Sequence, residues 1–279
     1  MDMETETAQV KVIAHIRSDF STKFGIPRQS GLVDELTAAA RKYGEPRKTE
    51  ILYEHQQLEL PEEEPEAEYP VRLFLSREGY LKKITPQSLR MSGEQKYKEG
   101  DGLRQSFETT SNAELMLFTD RCQVYKVRLS EFEDSKASVL GDYLPAKLKM
   151  EDGESVIYAL LPGDYAGSLL FLYENGKAAR IELTAYQTAS NRRKLTGAYS
   201  DKAPLAAILR LTEDGEVAVC SDEPRCLILH TALLAPKTTR TSQGVAVMTL
   251  KKNRRLTEAK FLAETAIQNP ARYRVRSLP

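Results

Sequence analysis

The chain has 279 residues, of which 41% are hydrophobic and 29% charged, with 40 basic and 40 acidic side chains and no net charge. That is enough apolar material for one large or two modest domains, yet no run of 18 or more apolar residues offers a membrane span. The opening MDMETETAQVKV is acidic and has neither a basic nor an apolar stretch of the kind a secretory signal needs, so a cytoplasmic protein is expected.

Residues 1–33 form a leader. Within it VKVIAHIRSDF alternates like a strand and is followed by KFGIPRQSGLV. Residues 34–50 open like a helix with Asp34 at the N-cap, run through Leu36, Ala38, Ala39 and Ala40, and stop at Gly44 and Pro46. Residues 51–70 contain LELPEEEPEAEYP, whose six glutamates and three prolines bury little, so an extended linker is expected. A repeat array fills residues 71–262. The basic tail, residues 263–279, includes ETAIQNPARYRVRSLP and is expected to be loose.

The array is built on a phrase that recurs four times: VRLFLSREGYLKKI (Val71 to Ile84), ELMLFTDRCQVYKVRL (Glu114 to Leu129), SLLFLYENGKAARIEL (Ser168 to Leu183) and EVAVCSDEPRCLILHT (Glu216 to Thr231). Each copy is an apolar run, a polar turn and a second run, which is a hairpin; Glu174-Asn175-Gly176 supplies the Asn-Gly turn signal. The copies start 43, 54 and 48 residues apart, a period typical of propellers. Between the hairpins lie further strand-like pairs, with MEDGES (Met150 to Ser155) and TEDGEV (Thr212 to Val217) read as one turn seen twice. Four strands per unit make a propeller blade. The expected class is all-β.

The charge is unevenly spread. Residues 1–70 hold 15 acidic and 8 basic side chains, whereas residues 168–279 hold 18 basic and 10 acidic. A basic half suggests a polyanionic partner. Three cysteines (Cys122, Cys220, Cys226) without C-x-x-C spacing argue against a disulfide framework and a zinc site, and fit a reducing compartment. His15, His55 and His230 have no ligand spacing. His230, in LILHT, reads as a packed core histidine. No Walker A loop, G-x-S-x-G or G-x-G-x-x-G is present. No cofactor is expected.

The phrase SNAELMLFTDRCQVYKVRLSEF resembles the blade signature of the C-terminal domain found in the A subunits of bacterial DNA gyrase and topoisomerase IV. LFLSREGYLKKITP resembles its first blade, and ARKYGEPRKTEILYE the segment leaving the catalytic core. The resemblance covers about residues 36–262. It implies a β-pinwheel of about four four-stranded blades, preceded by a short strand and helix leader. It implies a sequence-independent module that binds or wraps duplex DNA, working with a breakage–reunion core and with the topoisomerase's ATPase subunit. No tyrosine sits in a context resembling that core, so no catalytic residue is expected and the chain is read as non-catalytic by itself. The gyrase-type box of glutamine, paired arginines and paired glycines is lacking. The nearest loop is SNRRKLTG, closer to the topoisomerase IV type. Four units, fewer than the family's usual number, suggest an open or shortened disc.

Sequence-independent binding needs cations at phosphates and no base reading. The candidates in loops after the hairpins are Lys96 and Lys98, Lys136, Arg192, Arg193 and Lys194, and Lys237 and Arg240; a second cluster is Lys251, Lys252, Arg254 and Arg255. The leader differs. VIAHIRSDFSTKFGIPRQSGLV resembles the opening of the tRNA threonylcarbamoyladenosine methyltransferases, matching at Arg17, Phe24, Pro27, Arg28 and Gln29. It implies an alternative, an S-adenosylmethionine-dependent tRNA methyltransferase relative with a fused β array.

Overall fold

A computed structural model describes residues 30–44 and 68–279, apart from 92–93, 189–191 and 224. The chain divides into two units, Met1–Glu62 and Glu63–Pro279. In the first, helix α1 spans Ser30–Tyr43. It begins four residues before the expected start, so Asp34 lies inside the helix and is not its N-cap. The end is as expected: the Gly44 N–H closes on the Ala40 carbonyl at 2.9 Å. The expected leader strand and most of the acidic linker lie outside the described residues.

The described part of the second unit is mainly β. Its first hairpin is β1 (Pro70–Ser76) and β2 (Tyr80–Ile84), followed by a short helix α2 (Pro86–Met91) and β3 (Leu103–Thr110). The second is β4 (Glu114–Thr119) and β5 (Gln123–Arg128), followed by β6 (Asp142–Tyr143), a one-turn helix α3 (Leu144–Lys147) and β7 (Val156–Leu160). The third is β8 (Ser168–Tyr173) and β9 (Lys177–Glu182), followed by β10 (Lys194–Thr196) and β11 (Leu205–Leu211). The fourth is β12 (Glu216–Ser221) and β13 (Cys226–His230), followed by β14 (Val245–Ala246) and β15 (Leu256–Phe261). All four repeated phrases are therefore hairpins, each in a separate antiparallel sheet.

The four strands of a sheet are not four consecutive strands. The sheet orders are β3-β1-β2-β6, β7-β4-β5-β10, β11-β8-β9-β14 and β15-β12-β13. After each of the second to fourth hairpins the chain goes back to add an edge strand to the preceding blade, then forward to add the opposite edge to its own. Consecutive blades are thus tied by crossing chain. This corrects two expectations. MEDGES leads into β7, while TEDGEV joins β11 to β12, so they are different turns. The fourth sheet also has three strands among the described residues, where four were expected.

The close return demands glycine at two matching points. Gly141 and Gly244 precede β6 and β14 with φ of 89° and 74°. A Cβ on either would strike the backbone carbonyl of the strand being joined, Leu81 or Ala178. Only glycine satisfies both the left-handed backbone and the close approach.

The first strand of each hairpin is apolar on both faces because both are covered. Leu115 and Leu117 point toward the first blade and pack with Leu73, Leu75 and Leu81. Met116 and Phe118, one residue out of phase, point toward the third and pack with Leu169, Phe171 and Ile181. Leu170 and Leu172 then face the fourth, against Val217, Val219 and Leu229. The core is thus a series of layers between blades. Phe118 lies in the middle layer, edge-on to Phe171 at 6.0 Å and to Tyr186 at 5.5 Å.

Two side chains depart from expectation. Cys220 and Cys226 form a disulfide. They are directly opposed cross-strand partners on β12 and β13, with Cα atoms 4.2 Å apart, a proximity that counting C-x-x-C spacings does not reveal. His230 is exposed, not packed; its Nδ1 accepts the Ala232 N–H at 3.3 Å and caps the turn after β13.

Phe118→Ala should destabilise the second unit by about 3–5 kcal/mol, the usual cost of emptying a buried aromatic site. Denaturant unfolding measures this, and a loss under about 1 kcal/mol would contradict the layered core. Cys220→Ser with Cys226→Ser should cost about 2 kcal/mol, as expected for opening so short a loop. An unchanged melting temperature on adding reductant to the native protein would show that the bond carries none of the stability.

Candidate nucleic-acid interface

Each hairpin of the second unit has two ends, and the structure sorts the predicted cations between them. One end is the turn joining the paired strands. The other is where the second strand runs into a 3₁₀ turn in the second to fourth hairpins, at Leu129–Glu131, Leu183–Tyr186 and Thr231–Leu233. The distinction follows from how the chain returns.

After each 3₁₀ turn the chain first touches the preceding blade at the far end of its second strand. Lys83 bridges to Asp134 and Ile181 to Lys237, both in parallel. In the second blade the Lys126 N–H donates to the Arg193 carbonyl at 2.8 Å. The return thus carries Lys136, Arg192, Arg193 and Lys237 to corresponding edges of three blades. Lys136, Arg192 and Lys237 are exposed and make no ion pair among the described residues. Arg193 meets Glu131 at 3.3 Å. Arg240 lies near the same edge, donating to the Ala185 carbonyl at 3.4 Å over the Tyr186 ring. Lys96 is exposed on the loop beside the first return, its N–H donating to the Ala137 carbonyl.

Lys194 sits one step along, in β10. It pairs with Glu151 at 2.9 Å over the face of Tyr125. The hydrogen bond from Lys194 holds the Glu151 carboxyl below its usual range, and Glu151 reciprocally raises the Lys194 ammonium.

The turn end is different. Lys98 is paired with Glu78 at 2.8 Å. Arg254 faces Glu223 at 3.1 Å, Lys251 the same carboxylate at 3.6 Å, and Arg255 faces Glu174 at 3.6 Å. Only Lys252 of that second cluster makes no ion pair among the described residues. Exposed pairs contribute little to stability, but each carboxylate cancels field that a phosphate would otherwise meet. The KKNRR cluster, read from sequence as an equal candidate, is therefore largely neutralised.

The same edge has a second set of cations that sequence reasoning missed, one buried and two partly buried. Lys83, Lys126 and Arg180 occupy matching positions on β2, β5 and β9. Each reaches across to the 3₁₀ turn that follows the next hairpin. Lys83 donates to the Leu129 carbonyl at 3.2 Å, Lys126 to Tyr186 at 3.2 Å and Arg180 to Thr231 at 3.3 Å. Each also meets a carboxylate: Asp134 at 3.2 Å, Glu114 at 3.3 Å and Asp214 at 2.7 Å. These are latches between blades, unavailable to a phosphate. The signal was legible as a recurrent basic residue in LKKI, VYKV and AARI.

Buried tyrosines complete the scaffold. Burial pushes the Tyr173 phenol up to about 12, and burial also raises Tyr165, Tyr186 and Tyr199. Protonated at neutral pH, three of them donate: Tyr165 to Glu114 at 2.8 Å, Tyr186 to the Ala198 carbonyl at 2.6 Å and Tyr199 to the Thr119 carbonyl at 2.7 Å.

This arrangement, blades linked by returning strands, is matched by solved structures. The C-terminal domain of a DNA topoisomerase IV superposes with a TM-score of 0.63 at 21% identity, over 70% of this chain and 62% of that one. The C-terminal domain of E. coli ParC superposes with a TM-score of 0.55 at 16% identity, over 68% of this chain and 78% of that one. The fold is the β-pinwheel of these C-terminal domains. In sequence, the pinwheel chain is 25% identical over 256 residues to the DNA gyrase A subunit of Aminobacterium colombiense and 20% identical over 249 residues to the DNA topoisomerase 4 A subunit of Staphylococcus aureus. These matches take in 86% and 88% of this chain but only 31% and 30% of the relatives, so the chain spans under a third of their length. No protein-family profile matches. The methyltransferase resemblance of the leader is not borne out: the relatives matching most of the chain are topoisomerase A subunits. The matching positions Arg17 to Gln29 lie outside the described residues.

Glu131→Gln with Glu151→Gln should free Arg193 and Lys194 and make the pinwheel elute from a polyanion column at higher salt than wild type. Elution at the same salt would mean those carboxylates do not mask the edge.

Proposed function

We propose that this chain is the DNA-holding module of a type II topoisomerase A subunit, binding duplex DNA without regard to sequence. Its partners are a breakage–reunion core and an ATPase subunit, which supply the cutting and the energy. The observation that carries the proposal is the repeated delivery of cations to one edge. Lys136, Arg192 with Arg193, and Lys237 arrive on returning segments at the matching edges of three blades, Lys136 one residue beyond the register that Lys237 holds, and most of them face no carboxylate.

Duplex DNA presents phosphates at regular intervals, and a row of cations on a rigid frame can meet several at once without reading bases. The latches fix the spacing between blades, so the row needs little ordering when DNA arrives. Threonines near the row, Thr238, Thr239 and Thr241, add neutral donors for phosphate oxygens. The topoisomerase A-subunit relatives supply the same reading independently. The lack of a gyrase-type box favours simple holding or bending over strong chiral wrapping.

Arg192→Ala, Arg193→Ala and Lys194→Ala together should weaken binding to all duplex sequences alike. The slope of log affinity against log salt should fall by up to about 2–3, near 0.9 for each phosphate no longer neutralised. Fluorescence anisotropy on two unrelated duplexes reads both quantities. Wild-type affinity and slope in the triple variant would remove this edge as the binding surface.

A further inference from the structure

The C-terminal segment, expected to be loose, is built into the fourth blade. Ile228 on β13 bridges in parallel to Arg274, as Lys83 does to Asp134 and Ile181 to Lys237. The Ile228 N–H donates to the Tyr273 carbonyl at 2.8 Å, and the Val275 N–H to the Ile228 carbonyl at 2.9 Å. The second bond is the one that Ser135 makes to Lys83 at 2.7 Å and Lys237 makes to Arg180 at 2.8 Å. Elsewhere the chain makes a whole hairpin before it returns. Here it passes from β15 through 3₁₀ turns at Leu262–Glu264 and Pro270–Arg272 and returns at once.

Three further features fit that seat. Val275 and Leu278 pack on the layer between the third and fourth blades. Arg274 grips Glu216, at the start of β12, with two bonds of 2.5 and 2.8 Å. The latch position, cationic in the first three blades, is Ile228 in the fourth. Arg272 and Arg276 remain exposed and make no ion pair among the described residues. By the matched hydrogen bonds, Arg276 occupies the register of Lys136 in the first blade.

We propose that Pro270–Leu278 is a fourth phosphate-binding segment, in which Arg272 and Arg276 contact the DNA backbone and Arg274 positions them. This rests on the duplex-binding reading above and extends it. The basic edge then runs over all four blades, with the last member supplied by a tail instead of a returning hairpin loop.

The test uses the full chain and a linear duplex, titrated between about 50 and 200 mM salt. Arg272→Ala with Arg276→Ala should lower the log–log salt slope by about 1.8 and affinity by roughly 10- to 100-fold, with the melting temperature unchanged. Arg272→Lys with Arg276→Lys should restore most of the slope, since a phosphate contact needs charge more than shape. Wild-type slope in the alanine variant, while Arg192→Ala, Arg193→Ala and Lys194→Ala still lowers it, would overturn the tail assignment and leave the duplex reading standing. Absence of any duplex binding by the wild-type chain would overturn both. A lowered melting temperature with an unchanged slope would assign the arginines to capping alone, against the proposal.

Discussion

A hairpin with two apolar faces cannot be stable by itself, and this constraint organises the pinwheel. Each of the inner hairpins presents leucines to one side and leucine, methionine or phenylalanine to the other, so each needs a neighbour on both faces. The chain meets that need by returning to each blade after it has made the next one. The returning strand completes the sheet edge, and the same crossing draws the two apolar faces together. Burial and connectivity are thus achieved in one step, and the layers between blades form one after another along the chain.

The latch cations follow from that geometry. A return brings the carbonyls of a 3₁₀ turn against the second strand of the previous blade. Lys83, Lys126 and Arg180 satisfy those carbonyls and find a carboxylate for their own charge. Such groups are costly to bury unpaired and are held firmly once paired. They set the distance and angle from one blade to the next, and hence the spacing of whatever the surface carries. The fourth blade has Ile228 at the matching position.

Function then depends on which side of this frame the free charges lie. The turn ends carry cations matched by carboxylates, whereas the returning edges carry cations largely without them. A polyanion meets the second kind first. The contrast is invisible in composition, since both ends contribute lysine and arginine in similar numbers. It arises because Glu78, Glu174, Asp222 and Glu223 belong to hairpin turns and strand ends, close to the loops that hold Lys98 and KKNRR.

Much of the fold was legible in the sequence, because hairpin formation is local. The alternation of Leu73 to Ser76, the Asn-Gly turn at Gly176 and the four-fold phrase determined the hairpins, the all-β class and the pinwheel resemblance. The recurrent basic residue of the second strand was also visible, though not its role. What only the tertiary structure decided was long-range. The exchange of edge strands, the difference between the MEDGES and TEDGEV turns, the Cys220–Cys226 pairing and the exposure of His230 all depend on where the chain goes after a turn. So does the division of the candidate cations into paired and unpaired sets, and so does the seating of Arg272 to Arg276 on the last blade. A sequence states which side chains are charged, but it is the folded backbone that determines which carboxylate lies within reach of each.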